Sequence, residues 1–84
     1  MKYLAVVNVS LKESILDPQG RTVERSLHNL GHDTVKGVRV GKQFRIDMEG
    51  DRSEVERQLG EFAADVLTNP VIESVEWDLS EVDG

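Results

Sequence analysis

The chain reads as a small α+β sandwich in the order β-α-β-β-α-β, and three features of its 84 residues predict it. Apolar residues alternate with a period of two near the start, the middle and the end of the chain. Two stretches between them repeat with helical spacing instead. Three strings rich in turn residues punctuate the boundaries: Leu16-Asp17-Pro18-Gln19-Gly20, Val38-Arg39-Val40-Gly41-Lys42 and Asn69-Pro70-Val71-Ile72-Glu73.

The first strand spans Lys2 to Leu11, with Tyr3, Ala5, Val7, Val9 and Leu11 on one face. Leu4 and Val6 make the opposite face apolar for half its length, the pattern of a central strand. Asp17 then suits an N-cap, and Pro18 suits the first helical position, where its missing N–H leaves nothing unpaired. Val23, Leu27 and Leu30 share one helical face, and Gly31 suits the left-handed residue that closes a helix. The first helix is therefore expected from about Pro18 to Leu30. Gly20 in its first turn is a poor helix former, which suggests close approach of another backbone.

Thr34 to Glu49 reads as a hairpin turning at Gly41-Lys42. Val38 and Val40 alternate before the turn, and Phe44, Ile46 and Met48 after it. The second helix is expected from about Arg52 to Leu67, capped by Asp51 or by a Ser53-x-x-Glu56 box. Val55, Leu59, Phe62, Ala63, Val66 and Leu67 form its apolar stripe, and Asn69-Pro70 ends it. The last strand places Val75, Trp77 and Leu79 on one side, and Ser80 to Gly84 reads as a frayed acidic tail. This order is the ferredoxin-like arrangement: a four-stranded antiparallel sheet with both helices on one face. Its edges would be the second and fourth strands. The uncovered face would carry Leu4 and Val6 beside Arg39, Arg45, Asp47, Glu76 and Asp78.

Length bounds the chain to one domain, residues 1–84. A core of this size supplies only about 3–5 kcal/mol, so small domains turn to disulfides, a metal or association. The chain has no cysteine and only two histidines, His28 and His32, which leaves association. The lack of cysteine suits a reducing compartment. The N-terminal apolar run alternates and lacks a cleavage site, and no run approaches a membrane span. A cytoplasmic protein without a membrane partner is expected.

The net charge of −6 is unevenly placed. Residues 1–33 are neutral, residues 34–45 carry four cations and no acid, and residues 46–84 carry twelve acids against Arg52 and Arg57. An acidic body with scattered aromatics argues against nucleic acid. His28 and His32 have no motif-linked third ligand and suit the last turn of a helix. No phosphate-cradling glycine loop is present, because Gly37-x-x-x-Gly41 falls in a strand pattern.

Taken together, Val9-x-Leu11-Lys12 leading into Leu16 to Gly20, then Val38 to Lys42, then Leu67-x-Asn69-Pro70-Val71-Ile72-Glu73, resemble the PurS family. That family is the small subunit of phosphoribosylformylglycinamidine synthase. The resemblance runs from about Val6 to Leu79, and Arg21 departs from the aliphatic residue common at its position. It implies a non-catalytic subunit in purine biosynthesis that forms dimers or tetramers. The large synthase subunit would bring ATP and magnesium, and a glutaminase subunit would release ammonia. This chain would join the two and hold no cofactor.

Contact residues are assigned by position. Asp17, Pro18, Gln19 and Gly20 could present a turn to a partner; alternatively Asp17 caps and Pro18 starts a helix. Arg39, Gly41 and Lys42 could meet an acidic patch or form a solvated hairpin, and Asn69-Pro70 could be contact or helix stop. The rival reading is a ferredoxin-like module sensing a small ligand or an anion near Arg39, Lys42 and Arg45. An enzyme using His28 is a third.

Overall fold

In the computed structural model, which describes residues 1–82, three strands rather than four form the sheet. Strand β1 covers Lys2–Leu11, β2 covers Gly41–Glu49 and β3 covers Glu73–Val82. Helix α1 covers Pro18–Asn29 and α2 covers Arg52–Asp65. The order is β2-β1-β3, with both pairings antiparallel. β1 is central, as its two apolar faces require.

The expected strand before Gly41 is absent. Residues 35–40 run as an irregular arm, and Gly41 opens β2 opposite Ser10 instead of turning a hairpin. Its φ is not positive; only Gly31 and Gly50 have positive φ among the described residues. The reason lies in the arm's partners. Val40 N–H donates to the Asp17 carboxylate, His28 Nε2 lies 2.7 Å from the Val35 carbonyl oxygen, and Val38 rests on Gly20. Contacts to α1 thus replace a strand ladder. The edges of the sheet become β2 and β3, and Arg39 leaves the uncovered face.

The apolar alternation otherwise builds the core as expected. Ala5, Val7 and Val9 face Leu59 and Ala63 of α2, flanked by Phe44, Ile46, Met48, Phe62, Leu67, Val75 and Leu79. Val75, Trp77 and Leu79 align with Val9, Val7 and Ala5. Ser80, Glu81 and Val82 continue β3 opposite Leu4, Tyr3 and Lys2, so the tail expected to fray is paired there; residues 83–84 lie outside the described residues.

Only α2 covers the sheet. Helix α1 contributes a single buried residue, Gly20, and none to the core cluster, contrary to the two-helix layer expected. It does end as its sequence demands. Gly31, at φ 93°, closes it with Gly31 N–H to His28 O and His32 N–H to Leu27 O, a Schellman motif. At the start of α2, Asp51 is the N-cap but makes no side-chain cap. The Ser53–Glu56 box does not form, because Glu56 accepts from Arg52 at 2.8 Å. No helix among the described residues is long and apolar enough to cross a membrane. The radius of gyration is 16.7 Å, against about 12 Å for a compact domain of this length. The excess comes from α1 and the arm standing off the sheet.

Leu59 is fully buried at the centre of this one-helix core. Leu59→Ala is expected to lower stability by about 2–5 kcal/mol, read as a fall in the urea midpoint at unchanged slope.

Candidate partner-contact site

The three strings that bound the elements converge at one end of the sheet. A cleft of about 180 Å³ there is lined by Gln19 of the first string, Val40, Gly41 and Lys42 of the second, and Glu73 of the third. Val9, Ser10 and Leu11 of β1 complete it.

Asp17 organises this end. It is 4% exposed, and its carboxylate accepts from Gly20 N–H at 2.9 Å and from Val40 N–H at 2.7 Å. One side chain therefore caps α1 and ties the arm to it. The Val40 amide, then the Gly20 amide, hold its carboxyl below the usual aspartate range; partial burial works the other way, and Arg39 adds a weaker favourable charge. Pro18 sits at the helix start, as its fixed φ favours. Gly20 is buried because the arm crosses it: a Cβ there would lie 2.2 Å from the Val38 carbonyl oxygen. Gly41 approaches β1 in the same way, its absent Cβ falling 2.8 Å from the Val9 carbonyl oxygen. Gln19 is exposed at the cleft rim.

Arg39 and Lys42 are both engaged within the chain. Arg39 donates to the Lys12 carbonyl at 2.8 Å and lies 3.4 Å from that of Leu11, pinning the arm to the end of β1. Lys42 lies 3.9 Å from the Glu73 carboxylate and 5.8 Å from the Phe44 ring centre. Arg45 pairs with Val6, whose side chain faces away from the core. The three cations therefore do not gather into an anion cradle, and the sensing reading has no built site.

Asn69 and Pro70 stand apart from the cleft at an exposed tip, yet Glu73 joins the two. Its Oε1 accepts from Asn69 N–H at 2.7 Å, while Oε2 faces Lys42. The tip is stiffened from within: Asn69 O accepts from Ile72 N–H and Glu73 N–H, and Asn69 Oδ1 accepts from Val71 N–H. Glu73 is the residue that sequence reasoning passed over. Its signal was the Asn-x-x-x-Glu spacing, which lets a carboxylate reach back to an amide as capping residues do. What this end presents is a set of rigid, hydrogen-bonded loops.

Comparison with known proteins places the chain among relatives of one kind. The PurS family profile, phosphoribosylformylglycinamidine (FGAM) synthase, matches residues 4–81. The PurS subunit of phosphoribosylformylglycinamidine synthase from Bacillus subtilis is 38% identical over 80 residues, covering 95% of both chains. The Methanocaldococcus jannaschii PurS structure superposes with a TM-score of 0.86 at 36% identity, covering 96% of this chain and 99% of that one. A chain in the structure of PurLQS from Thermotoga maritima superposes with a TM-score of 0.86 at 25% identity, over 95% of this chain and 99% of its own.

Two substitutions test the junction. Gly20→Ala drives a methyl into backbone that cannot rotate away and is expected to lower stability by about 1–3 kcal/mol. Asp17→Asn keeps an oxygen for Gly20 but turns an amide N–H toward the Val40 N–H, and is expected to lower the melting temperature by several degrees at pH 7. Because the carboxyl is depressed in the folded state, its contribution is present above the unfolded value of about pH 4 and fades as pH falls below it. The melting curves of Asp17→Asn and the parent should therefore draw together as the pH is lowered below about 4.

Proposed function

This chain belongs to the PurS family, and from that premise we propose that it is the assembly subunit of a phosphoribosylformylglycinamidine synthase complex in purine biosynthesis. It joins a large ATP-dependent synthase subunit to a glutaminase subunit and performs no bond chemistry itself. ATP and magnesium belong to the large subunit, and this chain carries no cofactor. The complex works in the cytoplasm, a setting that suits a chain without cysteine.

One observation carries the reading: almost the whole chain corresponds to a chain found within PurLQS of Thermotoga maritima. The physical demand agrees with it. Ammonia released at one active site is protonated and lost if it enters bulk water before reaching the next. Holding two catalytic subunits at a fixed orientation requires stiff loops and matched surfaces. Asp17, Pro18, Gln19 and Gly20 with Gly41 and Lys42 offer one such loop cluster, and Asn69-Pro70 offers another. Arg39 acts in the same cluster by holding the arm against β1.

The chain also self-associates in this reading. Leu30 is 74% exposed and Val23 39%, with only Leu27 half-buried between them, so the apolar stripe of α1 is left largely uncovered by its own chain. The open β2 edge left by the missing strand is a second surface that a copy can pair with. Covering both would restore the buried area that a one-helix core lacks.

Two experiments test these statements. With both catalytic subunits present, adding this chain should restore glutamine-dependent synthesis; equal turnover without it would sink the proposal. Sedimentation of the isolated protein should give a dimer or tetramer, and Leu30→Asp should shift it toward monomer.

A further inference from the structure

The open edge of the sheet is longer than β2 itself. Continuing the β1–β2 register two places beyond Gly41 and Ser10 sets Arg39 opposite Lys12, and Arg39 does bond the Lys12 carbonyl at 2.8 Å. The arm from Val38 thus prolongs the line of β2. Along such a line successive residues direct their N–H and C=O groups to opposite edges. Gly50 N–H donates to the Met1 carbonyl, so even-numbered residues address β1. Val40, also even, gives its N–H to Asp17 just past the end of β1. Odd-numbered residues from Arg39 to Glu49 therefore address the open side. Arg39 is exposed, and its N–H and C=O have no backbone partner among the described residues.

The side chains along this line sort into two faces. Phe44, Ile46 and Met48 pack against the core cluster yet stay only half-buried, because the one covering helix is centred on β1. Val38 and Val40 fall in step with them and are half-buried too. Arg45 and Asp47 align with Val6 and Leu4 on the other face, and Asp47 makes no ion pair among the described residues.

We propose that this edge pairs antiparallel with the same edge of a second copy, about a two-fold axis at Gln43. The inference rests on the self-association proposed above and says which residues meet. In this register Val38 opposes Met48, Val40 opposes Ile46, and Arg39 opposes Asp47, each pair occurring twice by symmetry. Lys42 opposes Phe44, the ring type it already approaches at 5.8 Å within its own chain. A slip of two residues one way sets Arg39 against Arg45. A slip the other way leaves Val38 against Gly50 and Lys42 against Ile46. One chain cannot make the favoured register alone, because residues 41–45 would have to form the loop and they are held straight in the ladder to β1. The pairing covers the open β2 edges and makes one six-stranded sheet. It also brings α1 of the second copy, tied to its arm through Asp17 and His28, beside Ile46 and Met48 on the uncovered flank of the core. The two candidate contact clefts then flank the axis. Each gains Arg45 and Phe44 of the second copy opposite its own Gly41 and Lys42.

The chain has no cysteine, so single cysteines in the full-length protein report the register. Gln43 is exposed, and its two copies would face each other with Cα atoms about 5.5 Å apart, within disulfide reach. Gln43→Cys should link two chains on mild oxidation, read as a doubled mass under non-reducing conditions. Arg45→Cys should not, because its two copies would lie about 14 Å apart. Asp47→Arg, at an exposed position, should raise the dimer dissociation constant by about tenfold, since it sets like charges opposite each other twice. Linkage at Arg45→Cys as fast as at Gln43→Cys overturns the register. Linkage at neither, or parent-like dissociation of Asp47→Arg, in a protein that still sediments as a dimer overturns the edge pairing and leaves self-association standing. A monomeric parent sinks the self-association reading and this inference together.

Discussion

The Asp17 carboxylate holds together two segments that lie 23 residues apart, and the shape of the molecule depends on it. It satisfies an orphan amide at the start of α1 and the amide of Val40 just before β2 begins. An ordinary cap would do only the first. The second commits the arm to run beside the helix, which brings Val38 over Gly20 and leaves no strand to flank β2. Any side chain at Gly20 would meet the Val38 carbonyl and push the arm away. The absence of a Cβ and the presence of a carboxylate are thus one device.

This arrangement leaves the interior incomplete. One face of the sheet packs on α2, while the stripe of α1 stays exposed. For a protein acting alone this would be a liability, since exposed apolar stripes invite nonspecific association. In a subunit whose work is to hold others, surfaces left uncovered within the chain are available for contact. The loops obey the same logic. Each is braced by internal hydrogen bonds, so its geometry exists before a partner arrives.

Charge is arranged to match. The four cations of the arm and early β2 look like an anion site when read along the chain. In three dimensions Arg39 and Lys42 are spent on the Lys12 carbonyl and on Glu73, and Arg45 lies on the opposite face. In the acidic half Glu54, Glu56, Glu61 and Glu73 are paired within the chain, while others face outward. Asp65 stands against the dipole of its own helix, and the outer sheet face carries Asp47, Glu76 and Asp78 beside Leu4 and Val6. Two of the four cations in residues 34–45, Arg39 and Lys42, are thus held within the chain at the cleft rather than gathered for an anion.

The amino-acid sequence alone determined the kind of each element and the lineage of the chain. Period-two alternation in β1, β2 and β3 and the helical stripe of α2 are local signals, and they place most of the core correctly; Val66 at the end of the stripe and Trp77 in β3 are exposed instead. Asp17, Pro18 and Gly31 announced the ends of α1 through the same local chemistry. Tertiary structure alone decided where residues 35–40 go. Two alternating valines, Val38 and Val40, are equally compatible with a strand and with an extended arm, because both leave the backbone straight. Only long-range partners separate the two outcomes: the Asp17 carboxylate for the Val40 amide, Gly20 for the Val38 carbonyl, Lys12 for Arg39. The approach of Glu73 to Lys42 was hidden for the same reason, since it depends on the starts of β2 and β3 flanking the same end of β1.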